Sequence, residues 1–206
     1  MKKIMLFLLF LPVFIANSVL SESHDNDMAA QANKFENAVK LVSEQKYVEA
    51  VKEFKVLADL SLPEAQFNLA ILNLNGLGVP KNFKKALYWS WYAYLNNHET
   101  AFAQVEAIYP SITEALRDEV ATQVIDELLA LANSGDQLSA LKLGQTYTQL
   151  LVAPDFKSAY VWLSIAQAYG VKGVTELLEN TTKQLTVEEV LQQQDEAAAT
   201  FENINP

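Results

Sequence analysis

The 206-residue chain has no cysteine, a single arginine (Arg117) and two histidines. Without cysteine there is no thiol nucleophile, no zinc–thiolate site, no disulfide and no residue to carry an N-terminal lipid. One arginine cannot build an arginine clamp on phosphate or DNA, and a formal charge of −10 repels polyanions and anionic headgroups. Nucleic acid is therefore excluded as a partner. His24 lies in a polar stretch and His98 at a helix boundary. Neither has a second histidine at ligand spacing, so no metal and no cofactor is expected.

Glycine is scarce too, with six in the chain, and Gly76-Leu77-Gly78 is no nucleotide loop. No strand pattern precedes it, and neither a Gly-x-x-Gly continuation nor a Lys-Ser/Thr pair follows. No serine sits in a G-x-S-x-G elbow. Carboxylates come as adjacent pairs such as Asp118-Glu119 and Asp126-Glu127, whose side chains diverge by about 100° on a helix and cannot face each other as acid and base. Glu119 and Asp126 share a face, as do Glu188 and Asp195, and read as solvated helix surface. No catalytic constellation results, and the chain reads as a non-enzyme.

The longest apolar run, Ile4–Ile15, is too short for the roughly 20 residues a membrane span needs. It follows Lys2-Lys3 and precedes small residues ending at Ser18, with a second such site at Ser21, which is the layout of a secretory signal peptide. An uncleaved anchor reaching Leu20 is the competing reading. The expected organisation is a signal peptide over 1–18, a flexible lead-in over 19–27, and one domain over 28–206 that is exported to the periplasm or secreted, without stable membrane insertion after cleavage. Loss of Lys2 and Lys3 leaves 13 basic residues against 25 acidic.

What is abundant is helical periodicity. Phe35, Val39 and Val42 make one apolar stripe in a helix from Met28 to Gln45, capped by Asp27; Val51, Phe54 and Ala58 make another over Tyr47–Asp59. A helix over Leu62–Leu74, with Ser61 as candidate cap and Pro63 in its first turn, leads to Asn75-Gly76-Leu77-Gly78-Val79-Pro80, which must turn. Asn82 caps the following helix to Leu95, on which Ala86, Trp89 and Ala93 share the face expected inside. Pro110 breaks the helix, Ser111 or Thr113 caps a long helix to about Asn133, and Val174, Leu177 and Leu178 mark a short helix. Thr186 with Glu189 forms a capping box for the last helix, which ends near Phe201 ahead of a frayed tail at 203–206.

Ala65, Leu69, Ala70, Asn73, Gly76, Gly78, Val79, Asn82, Ala86, Trp89 and Ala93 together resemble the Sel-one-like repeat, a relative of the tetratricopeptide repeat. A second copy carries Leu143, Gly144, Tyr147, Val152, Asp155, Ala159, Trp162 and Ala166, with Leu150 and Leu151 in place of the turn glycines and a turn one residue shorter. Leu57 and Leu131 are 74 apart, and Trp89 and Trp162 are 73 apart. The spacing gives an internal duplication of roughly 73 residues, 57–130 and 131–202. The resemblance implies an all-α fold, a right-handed α/α solenoid of helix hairpins with about ten helices.

It also implies a non-enzymatic scaffold or adaptor for a protein or peptide partner, or else a fixed subunit of an envelope machine for secretion or motility. The β-lactamase-type hydrolysis described for cysteine-rich members is not expected of a chain without cysteine. Two candidate partner surfaces stand out. One is Tyr88, Trp91 and Tyr92 (with Leu95), opposite Trp89; the matching positions of the second copy are not aromatic, so the fold does not demand them. Packing against a neighbouring hairpin or the long 113–133 helix is the competing explanation. The other is the inner face of the array, where Gln66, Asn73, Lys142, Gln145 and Thr148 are polar first-helix residues.

Overall fold

A computed structural model describes residues 13–204, with side chains from Met28 onward. Ten α-helices follow one another among the described residues: α1 Val13–Ser43, α2 Tyr47–Asp59, α3 Pro63–Asn75, α4 Phe83–Leu95, α5 Ala101–Ile108, α6 Glu114–Asn133, α7 Gln137–Gln149, α8 Phe156–Ala168, α9 Val174–Thr182 and α10 Val187–Ile204. A 3-10 turn at Tyr109–Ser111 joins α5 to α6. Helices α1 to α5 pack in sequence order, as do α6 to α9, while α6 packs back on α4 and α10 packs back on α8. The fold is an all-α solenoid of helix hairpins.

The second set of elements follows the first at a near-constant offset. α3 and α7 begin at 63 and 137, α4 and α8 at 83 and 156, α5 and α9 at 101 and 174, and α6 and α10 at 114 and 187. The offset falls from 74 to 73 across the hairpin turn, where the second copy is one residue shorter.

Local chemistry accounts for most boundaries. The Asn82, Thr113, Asp136 and Asp155 side chains each accept a hydrogen bond from a backbone N–H three residues on, at 2.9, 3.2, 3.0 and 3.0 Å. Thr186 and Glu189 close the reciprocal capping box at 3.2 and 2.9 Å. Ser61 does not cap α3: it adopts a left-handed conformation, and Leu62 holds the N-cap position, just ahead of Pro63, with no side-chain cap. α1 runs through Asp27 and the whole stretch expected as a flexible lead-in, because a helix nucleated by the packed 28–43 segment extends into polar sequence at little cost. Residues 1–12, most of the expected signal peptide, lie outside the described residues, as do 205–206; Asn203 and Ile204 complete α10 rather than fray.

The two hairpin turns are built differently. In the first, Gly76 and Gly78 have φ of +70° and +73°, and a Cβ on Gly78 would lie 2.3 Å from the carbonyl oxygen of Tyr47. In the second, Leu150 keeps right-handed geometry and is fully buried. Arg117 of α6 holds this turn: its Nε donates to the Leu150 carbonyl at 2.7 Å, and Nη2 donates to those of Gln149 and Leu151 at 3.0 and 3.1 Å. Asp118 accepts from the Val152 N–H at 2.9 Å.

Two apolar cores result. One joins α1, α2 and α3 around Phe54, Leu57 and Leu69. The other runs from α4 to α10 around Trp91, Leu128, Leu143 and Leu163. α4 is the shared wall: Trp89 packs on the first core and Trp91 on the second.

Candidate functional site

Because α4 faces two cores, its aromatic side chains are divided between them. Trp91 is fully buried, and its indole N–H donates to Thr146 Oγ1 of α7 at 3.1 Å. Tyr88 and Tyr92 both donate to Glu127 Oε2 of α6, at 2.8 and 2.6 Å, and Gln123 Nε2 donates to the other carboxylate oxygen at 3.0 Å. Burial, reinforced by that carboxylate, pushes both phenols well above the usual tyrosine range. Tyr94 reaches Gln149 Oε1 at 2.7 Å. The expectation that Trp91 anchors an exposed patch is therefore corrected. This face seats α4 against α6 and α7, the packing explanation weighed above.

The polar first-helix residues are corrected in the same way. Gln66 and Asn73 are buried, at 2% and 3% exposure. Gln66 Nε2 donates to the Ala58 carbonyl at 3.1 Å, Asn96 Nδ2 donates to Gln66 Oε1 at 2.9 Å, and Lys142 Nζ donates to Asn96 Oδ1 at 2.8 Å. This chain ties α2, α3, the end of α4 and α7 together. Asn73 Nδ2 bonds the Leu69 carbonyl at 2.7 Å, and its own carbonyl accepts from the N–H of Asn82 at 2.9 Å, closing the hairpin turn. Burial lowers the Lys142 pKa. Gln145 is part-buried beside the Tyr94 hydroxyl, and the Thr148 hydroxyl bonds the Gly144 carbonyl at 2.8 Å. A buried polar group needs a partner inside, and these residues have theirs.

What the packing leaves open is a groove of about 630 Å³ between α2 and α4, with α3 as its floor. Val51, Leu69 and Val79 supply apolar surface, and Trp89 with Tyr88 forms one wall. Trp89 is only part-buried, whereas Trp162, at the same repeat position of the second copy, is 7% exposed. Lys55 holds its ammonium 5.3 Å from the Trp89 ring centroid while paired with Asp59. Lys84 pairs with Glu119 at 2.6 Å on the rim, and Lys85 is exposed beside it. Across Lys84 lies a second, acidic hollow with Glu119, Asp126 and Glu127.

The groove escapes sequence reasoning because the repeat pattern puts Trp89 inside. The one visible signal is the Lys81, Lys84, Lys85 cluster in an acidic chain. No group of three or more His, Asp or Glu side chains among the described residues is placed to hold a metal ion. No helix among them is long and apolar enough to cross a membrane. The groove's side chains offer lysines, an amide floor and aromatic faces, which suit binding.

Residues 63–90, α3 through most of α4, match the Sel1 repeat family. No curated protein matches the chain. Among solved structures, one neighbour is a protective antigen present in uropathogenic Escherichia coli strains and displaying an SLR fold, at 19% identity and a TM-score of 0.37 over 88% of this chain and 47% of that one. The chain thus spans about half that protein's length. Another is a Sel1 repeat protein from Oxalobacter formigenes, at 19% identity and a TM-score of 0.29 over 82% of this chain and 87% of that one. Sel1 repeats in general serve as non-enzymatic protein–protein interaction modules. The hairpin of α3 and α4 is thus similar to a Sel1 repeat, and a second hairpin, α7 and α8, follows it at the 73–74-residue offset.

Proposed function

We propose that this chain is a non-enzymatic scaffold or adaptor of the bacterial cell envelope, or a secreted one, and that it holds its protein partner in the groove between α2 and α4. The observation that carries this is the part-buried Trp89 on the wall of an open groove, at a repeat position whose counterpart Trp162 is buried. Aromatic side chains in recessed, partly desolvated sites are the usual anchors of protein interfaces. Export rests on the leader-like Lys2-Lys3 and Ile4–Ile15 sequence.

A photo-crosslinking residue in place of Val79, which lines the groove, tests the site in cells. One discrete adduct that disappears when Trp89 is changed to Ala, with the same label at position 176 on α9 giving none, supports the groove. An adduct that survives Trp89→Ala, or none at all, removes it.

A second reading, a fixed subunit of an envelope assembly, draws on the far end of the array. There Val187 and Leu191, one turn apart on α10, are 78% and 58% exposed. A permanent neighbour would cover them, and co-purification of a stoichiometric complex lost on Val187→Glu would favour this reading over transient capture.

A further inference from the structure

Resting on the groove reading above, we infer that the groove takes an acidic protein segment, one in which carboxylates alternate with apolar side chains. The lining carries Lys55, Lys84 and Lys85 against a single carboxylate, Asp59, on a chain whose overall charge is −10. The sign of the surface reverses here and turns back at the acidic hollow beyond Lys84. The N-terminal end of α4 also borders the groove: the N-cap Asn82 and Lys84 and Lys85 of the first turn line it, and the positive end of the helix dipole adds to the lysines.

Two of the three lysines are spoken for, Lys55 by Asp59 and Lys84 by Glu119. Lys85 is exposed and forms no ion pair among the described residues, so it is the cation available to an incoming carboxylate. Below it, Val51, Leu69, Val79 and the Trp89 ring offer surface that a small anion would leave unused but alternate side chains of an extended segment would fill. A polynucleotide, with a charge at every step, would run from the lysines directly onto Glu119, Asp126 and Glu127. A short acidic segment needs only one or two charges and can end before them.

The test uses the purified chain and fluorescence anisotropy with three labelled probes: a decapeptide alternating Glu with Leu, its Lys-for-Glu counterpart, and an oligothymidylate of the same length. The acidic peptide is expected to bind, more weakly as salt rises, and to lose about tenfold or more in affinity in Lys85→Glu and in Trp89→Ala. Lys85→Glu changes one exposed side chain, so it keeps the test valid if Trp89→Ala folds poorly. Equal binding of both peptides, binding of the oligothymidylate that Lys85→Glu weakens, or no effect of Lys85→Glu overturns the inference. Preferential binding of the basic peptide, lost in Trp89→Ala, overturns the charge preference but leaves the groove as a protein site. Absence of binding by any probe overturns the inference, and the absence of an adduct from position 79 then removes the groove reading too.

Discussion

Arg117 and Leu150 meet across 33 residues of sequence, guanidinium Nε to carbonyl oxygen, at 2.7 Å. The same guanidinium bonds two neighbouring carbonyls and lies 4.1 Å from the Tyr109 ring centroid. It does for the second hairpin turn what glycine conformation does for the first. Arg117→Ala leaves those carbonyls without donors and should cost about 2–4 kcal/mol, near the sum of one or two charge-assisted hydrogen bonds. Arg117→Lys should recover only part of this, since an ammonium lacks the planar fork. Urea unfolding of the three proteins checks it, and equal stability of Lys and Arg would refute the clamp.

Gly144 of α7 lets Leu163 of α8 approach closely in the second hairpin. A Cβ there would lie 2.4 Å from Cγ and Cδ2 of Leu163 on α8. The counterpart positions in the first hairpin hold Ala70 and Ser90, both fully buried, so the two copies divide the same space differently. Gly144→Ala should cost about 1–3 kcal/mol by overpacking, offset by about 1 kcal/mol of helix propensity. Leu163→Ala alone should cost about 2–5 kcal/mol. Combined, they should be more stable than the sum of the two by about 1–2 kcal/mol, because each relieves the other. A double-mutant cycle showing simple additivity would contradict this.

Trp89 and Trp91 should separate in stability and in binding. Trp91→Ala empties a fully buried site and removes the donor to Thr146 Oγ1, for about 3–5 kcal/mol by chemical denaturation. Trp89→Ala should cost clearly less, since its ring is only part-buried, and should instead remove partner capture. A larger stability loss at Trp89 than at Trp91 would reverse the assignment.

These two tryptophans also show how far the sequence could be read. Helix hairpins, the Gly76–Gly78 turn and the Asn82, Thr113 and Thr186 caps depend on residues within a few positions of one another, so periodicity and turn chemistry find them. Which side of α4 is outside does not depend on α4 alone. It is buried on both sides, and the pattern assigned its interior to the tryptophan that in fact lines a groove. Gln66 and Asn73 misled for a similar reason: a polar side chain looks solvated until its partner is known, and that of Gln66 is Asn96, 30 residues away. Arg117 could be read only by what one arginine cannot do, because the carbonyls it holds have no signature of their own.

Tyr88, Tyr92 and Glu127 give the fold an alkaline limit. Burial and the shared carboxylate hold both phenols above their ordinary pKa of about 10. Above that pH the unfolded chain releases protons that the folded chain keeps. The stability tied to these groups is therefore complete below about pH 10 and is lost as pH rises through the folded values, by about 1.4 kcal/mol per pH unit for each tyrosine. Tyr94, Tyr109 and Tyr147 are also raised by burial and add to the slope. The Tyr88→Phe/Tyr92→Phe double variant should be less stable at neutral pH, having lost both bonds to Glu127, yet should fall off less steeply above pH 10. The acid side behaves oppositely. The Thr186 backbone N–H, helped by Lys157 and the Thr186 hydroxyl, holds Glu189 at about 2, so its contribution is complete above the ordinary carboxylate range and fades as pH falls toward 2. Urea unfolding from pH 7 to 11.5 would decide the alkaline case: parallel curves for wild type and double variant would mean that the two phenols titrate alike in the folded and unfolded chains.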